Sequence, residues 1–196
     1  FYGHGSERLY EHYRSIAAAA PAVPHYLYEN PERVGYSLPV DLVGRLIHDV
    51  PNIVGVKDTA DSIGRLTMYL SLFDPAPEVY TGNNSLLFPA LCIGARGVVS
   101  ALANVVPELF VATYDAAKRG DVTEALALQA TAARFQNCFS GLPYVPAIKH
   151  LLGRAGMNPG RSRRPHAELS QEQARMLEAR VDSCKGLQEW LVSPAE

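Results

Sequence analysis

The stretch Asn52-Ile53-Val54-Gly55-Val56-Lys57-Asp58-Thr59 runs apolar for four residues and then delivers one amine. Short, rich in β-branched residues and bounded by Pro51-Asn52 and Asp58-Thr59, it reads as a parallel strand covered on both faces, with Lys57 at its C-terminal edge. Desolvation disfavours a charged amine, and a neutral amine is a nucleophile that forms a Schiff base with a carbonyl compound. The competing reading is a lysine that caps the strand or pairs with Asp58.

Other chemistries find little footing. Cys92, Cys138 and Cys184 are scattered without a C-x-x-C spacing, which favours reduced thiols in a cytoplasmic protein. His4, His12, His25, His48, His150 and His166 show no H-x-x-x-H or H-E-x-x-H pairing, so no metal site is expected. The basic run Arg161-Ser162-Arg163-Arg164 lies between glycines and prolines without interleaved aromatics, a solvated connector rather than a nucleic-acid patch. No apolar run reaches the ~18 residues of a membrane helix, and no signal peptide is recognisable. A net charge of −2, with 47% hydrophobic and 19% charged residues over 196, suits a soluble enzyme that is one domain or a piece of one.

The elements that must position Lys57 alternate between strand-like and helix-like segments, the signature of βα units on a parallel sheet. Helices are expected at 8–19, 39–48 (capped by Ser37), 61–72 and 85–93, and strands at 24–28, 53–57, 78–81 and 97–100. From Pro107 only helices are expected: 108–118, 121–139 with Asp121 as N-cap, 145–155, and a long one from Gln171 to about Leu191. Residues 156–166 form the clearest linker. The expected organisation is residues 1–106 as the α/β part and 107–196 as a helical part. Four such units do not close a barrel, and the Gly-rich phosphate turn of a doubly wound sheet is missing. The chain starts abruptly at Phe1-Tyr2-Gly3 and reads as the C-terminal part of a longer protein.

Four segments in this order carry a resemblance. Tyr28-Glu29-Asn30-Pro31-Glu32-Arg33-Val34-Gly35, Gly55-Val56-Lys57-Asp58-Thr59, Thr81-Gly82-Asn83-Asn84 and Gly97-Val98-Val99-Ser100-Ala101-Leu102-Ala103-Asn104 resemble successive strand ends of the dihydrodipicolinate synthase / N-acetylneuraminate lyase family of class I aldolases. The resemblance implies a (β/α)8 TIM barrel of which this chain covers roughly the C-terminal half, from the end of strand four at Phe1-Tyr2 to strand eight, followed by a C-terminal helical extension.

It also implies roles. Lys57 falls on the Schiff-base lysine and Tyr28, in Tyr-x-x-Pro, on the tyrosine that shuttles protons during imine formation. Tyr2 resembles a second relay tyrosine supplied by a neighbouring subunit, and Arg33 the arginine with which the synthases hold an aldehyde's carboxylate. Gly82 would leave space for pyruvate beside the imine, and Val99 would wall it from water; a turn glycine and plain core are the ordinary readings of the two. Asn84 and Asn104 are candidates for substrate contact or helix capping. No cofactor is implied, because pyruvate or another 2-oxo acid supplies the carbonyl and an aldehyde is the second substrate. The partners are these small molecules and further copies of the chain, a dimer or tetramer.

Arg33 points to 4-hydroxy-tetrahydrodipicolinate synthase of lysine biosynthesis. Asp58-Thr59, where synthases commonly carry Glu-Ala, and Glu29, where they commonly carry asparagine, keep a 2-keto-3-deoxy sugar-acid aldolase or N-acetylneuraminate lyase open. The family's turn for the pyruvate carboxylate belongs to a strand outside these 196 residues, which leaves a third reading, a non-catalytic family member acting through oligomer contacts.

Overall fold

The computed structural model describes residues 5–191. They form two compact units that divide between Val99 and Ser100.

The first unit runs α1 (Ser6–Ala19), β1 (His25–Glu29), α2 (Pro31–Val34), α3 (Val40–Asp49), β2 (Ile53–Asp58), α4 (Ile63–Leu72), β3 (Glu78–Thr81), a 3-10 turn leading into α5 (Leu87–Cys92), and β4 (Gly97–Val98). The four strands are parallel and lie in the order β1-β2-β3-β4. Right-handed crossovers that always advance in one direction place every helix on the same side of the sheet. An order without reversal is therefore an arc of a (β/α) barrel and not a doubly wound sheet.

Burial follows that one-sidedness. Leu27 and Glu29 of β1 and Val79 and Thr81 of β3 are buried, while Tyr26 and Tyr28 are exposed and Glu78 and Tyr80 half-buried. Leu27, Ile53, Val56 and Val79 join Leu42, Leu46, Leu66 and Tyr69 in the core between sheet and helices. The opposite face carries Tyr26, Tyr28, Lys57 and Tyr80. Within this chain β2 is packed by helices on one side, and Lys57 belongs to the other, the face that a closed (β/α) barrel turns inward. At the start of the β1–β2 ladder His25 pairs with Ile53 but Tyr26 with Gly55, so β2 holds one extra residue; from there Tyr28 pairs with Lys57 and Glu29 with Asp58.

Two local expectations need revision. Ser37 does not cap a helix, because α3 starts after Pro39 and the Ser37 hydroxyl is drawn to the buried Glu29 carboxylate, which needs donors. The last strand is shorter than expected, Gly97–Val98, although the Val99 N–H still reaches the Thr81 carbonyl at 2.9 Å. The turn Pro31–Val34 is a short helix closed by Gly35 at φ +78°.

The second unit is helical: α6 (Pro107–Arg119), α7 (Val122–Cys138), α8 (Tyr144–Arg154) and α9 (Gln171–Asp182). Asp121 caps α7 as expected, its carboxylate accepting from the Glu124 N–H at 2.9 Å. Ser170 and Gln173 form a reciprocal capping box on α9. That helix was expected to reach Leu191 and instead ends at Asp182; Gly186, at φ +78°, turns the chain into a 3-10 turn over Gln188–Trp190. Phe135 and Phe139 meet edge to face at 5.3 Å, and Tyr144 closes on Phe139 at 5.4 Å. Among the described residues no helix is long and apolar enough to cross a membrane.

Candidate active site

Parallel strands in register bring their C-terminal ends to one rim. One row across the open face consists of Tyr28, Lys57, Tyr80 and Gly97, each the ladder partner of the next. The ladder continues past the strands: Thr59 N–H donates to Glu29 O at 3.0 Å, Gly82 N–H to Asp58 O at 2.7 Å and Val99 N–H to Thr81 O at 2.9 Å. Alternation puts Thr59, Gly82 and Val99 on the same face as Lys57, one step nearer the rim.

The Lys57 amine lies over the Tyr28 ring, 4.0 Å from its centroid, a cation–π contact worth about 0.5–1 kcal/mol at a site open to water. Tyr28 is 49% exposed, and its hydroxyl accepts a hydrogen bond from Asn30 Nδ2 at 3.0 Å. Gly82 closes in from β3: an added Cβ would stand 3.3 Å from Lys57 Cε and would overlap the Thr59 methyl. Lys57, Tyr28 and Gly82 are thus brought together by the fold. Val99 stands on the same rim, 48% exposed, and takes no part in the contact between Lys57 and Tyr28. Arg33 is exposed on α2, immediately after β1, and among the described residues no ion pair or hydrogen bond engages its guanidinium. Tyr2, and the strand end expected at Phe1-Tyr2, lie outside the described residues. Asn104 belongs to the second unit and donates to Ala101 O at 2.9 Å. The turn after Gly82 is capped by Asn83, which accepts from Ser85 N–H at 2.7 Å.

Directly behind this row, on the helix side, stands a cluster that sequence reasoning did not single out. Glu29 and Asp58, ladder partners of each other, are 1% and 2% exposed. Arg65 of α4 donates through Nε to Asp58 at 2.8 Å and to the Tyr69 hydroxyl at 2.9 Å, and its Nη2 lies 3.2 Å from Glu29 and bonds the Leu38 carbonyl. Leu38 N–H (2.8 Å) and the Ser37 hydroxyl donate to Glu29, and Ala60 N–H to Asp58 at 2.6 Å. Removing one member of a buried pair of this kind typically destabilises by about 3–5 kcal/mol. Burial, and then the Asp58 charge, push the Tyr69 phenol up, so it stays a neutral donor and acceptor. Nothing in the local sequence marks Arg65; its distance from Asp58 along the chain fits any helix-face arginine.

A second tyrosine lies deeper on the open face. Tyr26 donates to Glu78 and meets Tyr80 edge to face at 5.8 Å. The hydrogen bond to Glu78, and then burial, push its phenol up to about 12. Among the described residues no group of three or more His, Cys, Asp or Glu side chains could hold a metal ion. A lysine beside a tyrosine, with a glycine keeping the space next to the amine clear, is suited to nucleophilic addition with proton transfer.

Comparison with known proteins gives the family. The model of the dihydrodipicolinate synthetase family matches residues 1–184. The chain belongs to this family. It is 36% identical over 171 residues to a DapA-like lyase of Halobacterium salinarum, covering 86% of this chain and 55% of that protein. It is 33% identical over 180 residues to a 4-hydroxy-tetrahydrodipicolinate synthase of Chlorobium phaeobacteroides, covering 90% and 59%. A prophage protein of the dihydrodipicolinic acid synthase family from Escherichia coli K12, solved in complex with pyruvate, superposes with a TM-score of 0.87 at 26% identity, covering 94% of this chain and 63% of that one. The fold is thus that of a TIM-barrel lyase family, and the chain spans a little over half the length of the curated relatives it matches.

Proposed function

We propose that the protein carrying this chain is a pyruvate-dependent class I aldolase, with Lys57 as the imine-forming nucleophile and Tyr28 as its proton shuttle. The observation that carries the proposal is the Lys57 amine held 4.0 Å from the Tyr28 ring at the C-terminal ends of adjacent parallel strands. The amine adds to C2 of pyruvate, and the carbinolamine oxygen leaves as water with a proton from the Tyr28 phenol. The resulting iminium loses a methyl proton to the phenolate, and the enamine carbon then attacks the aldehyde; retro-aldol cleavage runs the same steps backwards. A positioned acid/base is worth roughly 10²–10⁴-fold in such steps. Gly82 leaves room for the three-carbon adduct, Val99 screens it from water, and Tyr2 from a neighbouring subunit of a dimer or tetramer completes the proton relay.

Arg33 supports the synthase branch, pyruvate plus aspartate semialdehyde in cytoplasmic lysine biosynthesis, because its guanidinium follows β1 and is unengaged among the described residues. Asp58-Thr59 supports the second reading, a 2-keto-3-deoxy sugar-acid aldolase.

Borohydride reduction in the presence of pyruvate tests the chemistry. A pyruvoyl mass increase is expected on the peptide holding Lys57 and is expected to vanish in Lys57→Ala; a folded protein without the adduct would favour the non-catalytic reading. Turnover of aspartate semialdehyde against a 2-keto-3-deoxy sugar acid separates the two branches.

A further inference from the structure

We infer that Arg65 is a positioning residue: through the buried carboxylates of Glu29 and Asp58 it holds the Tyr28 phenol and the Lys57 amine in their working geometry. The inference rests on the imine chemistry proposed for Lys57. Successive residues of a strand point to opposite faces. Tyr28 and Lys57 therefore have Glu29 and Asp58 as their immediate successors on the helix side, and each of these pairs is matched across the β1–β2 ladder. Whatever fixes the second pair fixes the first.

One guanidinium does the fixing. Arg65 engages three other segments at once, Asp58 of β2 at 2.8 Å, Glu29 of β1 at 3.2 Å and the Leu38 carbonyl ahead of α3, and the Tyr69 hydroxyl of its own helix at 2.9 Å. Glu29 in turn gathers the Ser37 hydroxyl and the Leu38 N–H, so the segment that carries Arg33 is moored to the same clamp. Stability alone is a poor reason for such a cluster, since well-packed apolar residues commonly replace buried ion pairs without loss. Geometry is a better one, because a displacement of about 1 Å at reacting groups can lower a rate roughly 10²-fold. A planar fork with fixed donors meets two carboxylates on two strands; a lysine, with one compact charge, does not.

The test is the rate constant of pyruvate imine formation, read by borohydride trapping over time at several pyruvate concentrations in the protein that carries this chain. Arg65→Lys keeps the charge and lacks the fork. It is expected to lower the saturating rate constant about tenfold, with the half-saturating pyruvate concentration and the final adduct yield essentially unchanged. In a Tyr28→Phe background the same substitution is expected to change the rate constant less than about threefold, because residues that act through one another are not additive. A general loss of structure would lower yield and melting point but would not produce that non-additivity. Should Arg65→Lys fail to fold, Asp58→Asn, which keeps the acceptor for Ala60 N–H, carries the same expected loss. A folded Arg65→Lys protein that traps pyruvate at the wild-type rate, or one whose loss is undiminished beside Tyr28→Phe, overturns the inference and leaves the imine reading standing. A wild-type protein that forms no adduct on Lys57 overturns both.

Discussion

Gly82→Ala should destabilise the protein through one side chain, Thr59, and the size of the effect can be worked out. The Gly82 backbone lies outside the left-handed region, so an alanine is not strained there; the problem is space. Its Cβ would stand 3.1 Å from Thr59 Cβ and overlap the Thr59 methyl. Thr59 cannot simply turn away, because its hydroxyl donates to the Glu29 carbonyl at 2.8 Å and a new rotamer would break that bond. Losing it amounts to about 1 kcal/mol, and forcing a methyl into a packed rim adds about 1–3 kcal/mol. The expected total is about 2–4 kcal/mol, read from urea-unfolding midpoints at unchanged slope. Thr59→Ser provides the control, since it removes the methyl and keeps the hydroxyl. In that background Gly82→Ala should cost about 1 kcal/mol or less. An equal cost in both backgrounds would refute the reasoning, as would a cost below about 0.5 kcal/mol in the unmodified protein.

Two further outcomes follow from titrating groups. The Tyr26 phenol rises from its ordinary 10.0 to about 12, so the folded state binds its proton more tightly than the unfolded chain does. The stabilisation is fully present below pH 10 and disappears as the pH climbs toward 12; Tyr26→Phe should flatten this alkaline decline in the urea midpoint, and a parallel decline in both proteins would contradict it. Burial, and then the neighbouring Cys184, push the Cys138 thiol well above the usual thiol range. At mildly alkaline pH iodoacetamide should therefore label the exposed Cys92 well before Cys138, as peptide mass mapping would show.

How far the residues alone lead can be judged element by element. The segment Glu78–Thr81 forms a strand over the expected residues, because Val79, Tyr80 and Thr81 are all strand-favouring and Pro77 and Gly82 punctuate its ends. Which face of the sheet takes the helices was not legible. In β2 apolar residues occupy both faces, and in β1 tyrosines on the open face look as hydrophobic as the leucine on the packed one. The overlong final helix stops at Asp182 with Ser183 as its C-cap and Gly186 turning the chain only later, so no glycine or proline marks its end in the sequence. Lys57, Tyr28 and Gly82 could be found because each ends a strand-like run. Arg65 could not, since its partners Asp58, Glu29 and Leu38 come from three other segments and meet only in the folded chain.

The irregular step at the start of the β1–β2 ladder makes the position of the amine a matter of counting. Ile53 points into the helix-side core, and strict alternation from it would send Lys57, four places on, the same way. The single surplus residue between the pairs His25–Ile53 and Tyr26–Gly55 inverts that parity. Any insertion or deletion of an odd number of residues between Ile53 and Lys57 would exchange the fates of neighbours, turning a carboxylate toward Tyr28 and an ammonium toward Arg65. An even change would preserve the phase. In this strand the facing of Lys57 is encoded in the oddness of a residue count, which gradual drift in side-chain size cannot erode and one codon can.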